Sequence, residues 1–170
     1  VQLITAMEIE ISITNQELTL KDNDENVRIY KISSSKFGEG SEEDSYKTPL
    51  GKHEIKKMIG EGIALGGRFI GRVHTGEIFP IYSNQEIYVE EDVVQSRILW
   101  LSGLEDKLNK GEGVDSFSRY IYIHGTPEEW LLGTKASKGC IRMSNKDVID
   151  LFDKVHEGMV VNLSLIHIWR

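Results

Sequence analysis

The stretch Tyr120-Ile121-Tyr122-Ile123-His124-Gly125-Thr126 decides how the chain is read. Its isoleucines alternate with aromatic and polar residues at period two, the mark of a β-strand whose faces meet different surroundings. Ile121 and Ile123 share the face predicted to enter a core. Tyr120, Tyr122 and His124 share the other, which needs solvent or a polar partner. The same alternation recurs at residues 7–13, 17–20, 27–33, 53–59, 97–101 and 160–163, with Asn23 and Asp24 predicted to form a hairpin connection. Two helices are predicted. Thr126-Pro127-Glu128-Glu129 combines a cap, a first-turn proline and a glutamate three residues after the cap, with Gly133 ending the helix. Ser144 caps the second, where Val148, Leu151, Phe152 and Val155 form an apolar stripe and Gly158 is predicted to stop it. Residues 60–76 hold six glycines but no Gly-Lys-Ser/Thr, so they read as a mobile or tightly turned loop rather than a phosphate cradle. The fold class is therefore mainly β with a few short helices, in one domain.

Bulk properties narrow the function classes. The 170 residues are 39% hydrophobic and 28% charged, ordinary for a globular domain with a real core. A net charge of −7 disfavours nucleic acid, whose binders carry a basic surplus. The acidic runs at 22–25 and 39–44 read as solvated surface. No apolar run approaches the roughly 20 residues of a spanning helix, and residues 1–7 do not resemble a signal peptide. Because Val1 opens the chain, a mature form or a fragment is expected. Residues 164–170 restart an apolar run after the last strand and read as a non-native tail, leaving 1–163 as the domain. His53, His74, His124, His156 and His167 are scattered and there is one cysteine, so no metal or other cofactor is predicted.

Sixteen positions after His124 comes Ser137-Lys138-Gly139-Cys140-Ile141-Arg142-Met143. A lone cysteine is usually a small buried hydrophobe. Here Gly139 permits a tight backbone and close approach of a substrate, while Lys135, Lys138 and Arg142 surround the thiol with positive charge, which favours thiolate. The helix start at Ser144 would help further if it faced the sulfur. Cysteine with a histidine elsewhere in the chain is a nucleophile–base pattern. A structural histidine and a packed thiol are the alternatives.

These residues, followed by Asp147-Val148-Ile149 and preceded by Thr48-Pro49-Leu50-Gly51, resemble the L,D-transpeptidase catalytic domain, the YkuD-like family, over residues 8–163. The resemblance implies a β-sandwich with a catalytic cleft. It implies that Cys140 attacks a carbonyl of a peptidoglycan stem peptide, forms a thioester and passes the acyl group to an amine of another stem, to a protein lysine such as that of a cell-wall lipoprotein, or to water. His124 would be the base. The carbonyl of Gly125 would hold its other nitrogen, in the place of a triad carboxylate. Backbone N–H groups near Gly139 and Cys140 would bind the oxyanion, with Ser137, Lys138 and Tyr122 at the substrate. Arg142 would either bind a stem carboxylate or form a structural salt bridge. Carbapenem-type β-lactams would act as inhibitors, and the setting would be extracytoplasmic, in periplasm or cell wall. One departure stands out: Lys138 takes the place of the family's usual second histidine, which keeps a positive charge but removes a neutral imidazole. Alternatives on the same site are a hydrolytic L,D-carboxypeptidase, a cross-link-cleaving amidase, or a non-catalytic wall-binding module.

Overall fold

The computed structural model describes residues 7–165. Strands β1 (Met7–Ser12), β2 (Glu17–Asp22) and β3 (Glu25–Ser33) form an antiparallel meander. Asn23 and Asp24 both take positive φ, 50° and 68°, which matches the twist of a two-residue hairpin. Then follow β4 (Gly51–Ile59), β5 (Gly67–Ile70), β6 (Val73–Ile78), β7 (Val94–Gly103), β8 (Tyr122–Gly125), β9 (Ile141–Met143), helix α1 (Asn145–Phe152) and β10 (Val160–Ser164).

The strands run β4-β10-β1-β2-β3-β9-β8-β7, and β7 pairs back onto β4. Eight strands thus form one barrel-like sheet that closes on itself, rather than the two separate layers of the expected sandwich. Closure leaves these eight strands without a free edge. Inside lie the alternate residues of each strand, among them Ile9, Ile11, Leu20, Leu101, Ile123 and Ile141. Helix α1 packs Val148, Leu151 and Phe152 onto this core, with Val155 partly buried beyond it. Ser144 accepts a hydrogen bond from the Asp147 N–H at 3.1 Å, as its capping role requires.

Several sequence expectations change. The glycine-rich segment is not simply a loop, because it contains β5 and β6. Gly71 and Arg72, at φ 55° and 66°, turn this hairpin, which joins the sheet at the start of β7. The stretch after Thr126 forms only one 3-10 turn, Glu129–Leu131, without a side-chain cap. Its glutamates are drawn elsewhere: Glu128 pairs with Arg142, and Glu129 accepts from the Asn145 N–H at 2.7 Å. Helix α1 ends at Phe152, well before Gly158, because Asp153 already caps it. Ser164 belongs to β10, paired with Ser12, so the proposed tail overlaps the sheet by one residue; residues 166–170 lie outside the described ones.

His53 is a structural histidine. It is fully buried on β4; its Nδ1 donates to the Gly51 carbonyl at 3.0 Å and its Nε2 accepts from the Ser116 hydroxyl at 2.8 Å. Burial lowers its pKa from 6.5 to about 4, against the Gly51 hydrogen bond and Glu105, which raise it. Between these values the unfolded chain binds a proton that the folded chain refuses. Stability is therefore full above pH 6.5 and falls as pH drops toward 4, by roughly 3 kcal/mol from this group. Urea unfolding of the wild type and His53→Gln at pH 7 and pH 4.5 checks this. The wild type is expected to lose more stability on acidification than the variant, and equal losses would refute the assignment.

Candidate active site

Strands β8 and β9 run parallel, with Ile123 level with Ile141 and His124 level with Arg142. Both isoleucines face the core. One step back along this register sets Cys140 level with Tyr122, on the opposite face, which it shares with His124 and Arg142. The Tyr122 N–H donates to Cys140 Sγ at 3.4 Å, and the thiol donates to the Tyr120 carbonyl at 3.3 Å. Tyr120 itself leaves the strand at φ 58° and is exposed.

His124 is fully buried, so the need of this face is met by a polar partner rather than by solvent. Phe69 of β5 packs against Ile98, Trp100 and Tyr122 on this side of the sheet, and Asp92, in the segment leading into β7, acts on the ring. Its Nδ1 lies 2.7 Å from the Gly125 carbonyl. A carbonyl only accepts, so Nδ1 carries the proton and Nε2 the lone pair. Nε2 is buried without a hydrogen-bond partner among the described residues. Burial, with Arg142 assisting, holds the ring below the usual imidazole range, while Asp92 and the Gly125 hydrogen bond oppose. The resting imidazole is neutral.

Cys140 is half-buried, and its outer side lines a cavity of about 240 Å³ with Lys138, Arg119, Glu43, Asp44, Tyr46 and Tyr120. Burial pushes the thiol up to about 12, and Asp92 adds to this; the Tyr122 N–H, Arg142 and Arg119 pull the other way. The expectation of a cation-stabilised thiolate is thus not met in the resting structure. Lys135 pairs with Glu39 at 2.7 Å, and the cations acting most on the sulfur are Arg142 and Arg119. Nor does the start of α1 serve the sulfur: its assigned N–H groups go to Ser144 and Glu129.

The turn before Cys140 is held from several sides. Gly139 adopts φ 125°, a region that side chains rarely enter. The Thr48 hydroxyl donates to its carbonyl at 2.9 Å, and Thr48 also accepts from the Ser35 N–H. Ser137 is buried; its hydroxyl donates to the Cys140 carbonyl at 2.6 Å and accepts from the Gly139 N–H at 3.2 Å. The Gly139 N–H is therefore engaged within the turn. Lys138 is exposed and makes no hydrogen bond or ion pair among the described residues.

Of the two roles open to Arg142, the geometry holds the salt bridge. Nη1 meets Glu128 and Nη2 meets Asp92, each at 3.0 Å, with Arg142 and Glu128 both buried. Removing one partner of such a pair costs roughly 3–5 kcal/mol. Tyr122 is also committed: its hydroxyl accepts from Arg72 Nη1 at 3.0 Å, and its ring packs edge-on against Trp100. Gly125 is required by close approach, since an added Cβ would lie 2.6 Å from Asn145 Oδ1 and 2.7 Å from the Gln95 carbonyl. Asn145 ties this floor together, donating to the Thr126 carbonyl at 3.0 Å and to Glu129 at 2.7 Å. Sequence reasoning missed Asp92, Arg119 and Asn145 as site residues. All three sit far from one another in the chain, and Asn145 carries only the signal of a helix start.

Residues 6–163 match the model of the L,D-transpeptidase catalytic domain, YkuD. The Bacillus subtilis (strain 168) protein named "Putative L,D-transpeptidase YkuD" is 48% identical over 50 residues, 29% of this chain and 30% of that one. The solved structure of LD transpeptidase LdtMt1 in complex with imipenem aligns with 94% of this chain at TM-score 0.56 and 17% identity. L,D-transpeptidase 3 from Mycobacterium tuberculosis, with a faropenem-derived adduct, aligns with 94% at TM-score 0.56 and 16% identity. The chain spans 59% and 60% of those two chains, so the likeness is one of fold.

Two outcomes follow from the geometry. Iodoacetamide should alkylate Cys140 at a rate that climbs steadily from pH 7 to pH 10, because a thiol raised to about 12 is mostly protonated throughout; a plateau below pH 7 would reveal a preformed thiolate. Gly125→Ala should cost roughly 1–3 kcal/mol in urea unfolding, as overpacking of a tight interior does, and unchanged stability would contradict the contact with Asn145.

Proposed function

The chain belongs to the L,D-transpeptidase catalytic-domain family, and we propose that it is a cysteine acyltransferase acting on peptidoglycan stem peptides, with Cys140 as nucleophile and His124 as base. The observation that carries this reading is the buried, unpartnered Nε2 of His124, its tautomer set by the Gly125 carbonyl, on the face it shares with the thiol.

The charge balance defines the first step. Thiol and imidazole both rest neutral and are not hydrogen-bonded to each other, the thiol donating to the Tyr120 carbonyl; its proton turns from that carbonyl to Nε2 as Sγ attacks the peptide carbonyl. A C–S bond forms, and the imidazolium so created is favoured by Asp92 and by the Gly125 carbonyl. Collapse of the tetrahedral intermediate breaks the C–N bond, and the imidazolium returns the proton to the departing amine of the terminal D-amino acid. The thioester then accepts an amine, from a second stem or from a lysine of a cell-wall lipoprotein, with Nε2 taking the amine's proton and restoring the thiol. Since the Gly139 N–H is engaged by Ser137, the Cys140 N–H is the donor of this turn assigned to the oxyanion. The setting is extracytoplasmic, where this substrate lies.

The test is incubation with a carbapenem followed by intact-mass measurement. A single adduct is expected on Cys140, absent in Cys140→Ala and formed roughly 10²–10⁴-fold more slowly in His124→Gln. Absence of any adduct on folded protein whose thiol still alkylates would move the reading to a non-catalytic wall-binding module. Muropeptides with and without an added amine then separate transfer from hydrolysis.

A further inference from the structure

Four cations stand around the cysteine turn, and three are committed to the protein. Arg142 is held by Glu128 and Asp92, and Lys135 by Glu39. Arg119 donates to the Lys47 carbonyl at 2.7 Å. Lys138 alone of the four has no partner among the described residues, and it is exposed. Its backbone, by contrast, is fixed, because the neighbouring Ser137 and Gly139 are tied to Cys140 and Thr48.

Lys138 also occupies a distinctive place. It lines the cavity that contains Cys140 and a second one of about 320 Å³ on its other side, walled in part by Asp92, Glu128 and Arg142. Both cavities carry carboxylates: Glu43 and Asp44 line the first, and Glu90 and Glu91 join Asp92 and Glu128 in the second. Other cations answer these carboxylates: Arg119 lines the first cavity, and Lys36, Lys135 and Arg142 line the second. Lys138 is the cation that lines both, and its ammonium, without a partner among the described residues, is where an incoming carboxylate is attracted.

We propose that Lys138 is the anchor for a carboxylate of the acyl donor, pairing with it so that the scissile carbonyl is presented to Cys140. The proposal rests on the reading of Cys140 as nucleophile and adds the substrate feature that is recognised. It makes Lys138 a substrate-binding residue rather than a support for the thiolate, in keeping with the larger influence of Arg142 and Arg119 on the sulfur. The carboxylates nearest the scissile bond are the C-terminal one and, where the third residue carries one, that of its side chain.

The test uses three tetrapeptides: one with both carboxylates free, one with a C-terminal carboxamide, and one with the third-residue carboxylate amidated. Cys140 acylation and release of the terminal residue are followed for wild type, Lys138→Met and Lys138→Arg. The wild type is expected to use one of the amidated peptides about two- to fivefold less well, mainly through KM, as loss of one solvated ion pair implies. Lys138→Met should use that peptide and the free one equally, and Lys138→Arg should keep the discrimination. The peptide that suffers identifies the carboxylate. Because the Lys138 side chain makes no hydrogen bond or ion pair among the described residues, both variants should melt with the wild type. Equal use of all three peptides by the wild type, or discrimination retained in Lys138→Met, overturns the proposal while leaving the nucleophile in place. No acylation of the wild type by any peptide or by a carbapenem overturns the nucleophile reading, and this proposal with it.

Discussion

The parallel pairing of β8 with β9 is the constraint on which the site depends. It sets Ile123 beside Ile141, and both are fully buried in the barrel interior. A slip of one residue would exchange the faces of the whole strand, turning His124 into the core and an isoleucine toward Arg142. The hydrophobic cost of that exchange holds the register. The register in turn delivers Tyr122, His124, Cys140 and Arg142 to one face without any direct selection for their contact. Residues sixteen positions apart in the chain thus come to share one face because two isoleucines require the same interior.

That face is not an open surface. The β5–β6 hairpin lays Arg72 across the rings of Trp100 and Tyr120, at 4.8 Å and 4.9 Å from their centroids, and its guanidinium donates to Tyr122. Covering the face removes water from His124, which keeps the ring neutral and its lone pair free. The same burial raises the thiol. Desolvation therefore sets both groups at rest as uncharged partners, and the charged pair has to be created together with the attack. Asp92 is placed to influence both groups, since its charge favours the imidazolium and disfavours the thiolate. Its ion pair with Arg142 moderates that influence.

Strands were readable wherever one face is buried and the other is not. Residues 7–13 alternate because the barrel wall has an inside and an outside, and Tyr30, Lys31 and Ile32 repeat this at the end of β3, whereas Val27 and Ile29 are exposed. The β5–β6 hairpin was hidden for the converse reason: Ile70, Val73 and Ile78 are exposed, so its alternation reports no core, and its glycines dominate the pattern. Strand β9 is only three residues long, too short for a period to register. His124, Gly125 and Cys140 were identified as candidates from local motifs, but burial of the histidine depends on segments far along the chain. The salt bridge was one of two roles open to Arg142, but Glu128 as its partner was hidden for a related reason. Glu129, at the capping position three residues after Thr126, instead accepts from the Asn145 N–H, and Glu128 takes the buried guanidinium fourteen residues further on.

The cysteine turn shows why a rigid backbone and a free side chain belong together here. Gly139 sits in a region that costs any other residue conformational energy, and Thr48, Ser137 and Ser35 supply the hydrogen bonds that hold it there. The backbone of such a turn is settled before a substrate arrives, which leaves rotation about the Cys140 side chain to bring the thiol to an incoming carbonyl. The upstream Thr48-Pro49-Leu50-Gly51 element acquires a physical role through the same contacts: its first residue clamps the turn that carries the nucleophile candidate, ninety-one positions further on. Lys138 lies within this clamped segment yet its side chain has no partner among the described residues, which concentrates the adaptable part of the site in one exposed, charged side chain. Variation at this position can therefore retune recognition without disturbing the barrel, the register or the His124–Gly125 contact.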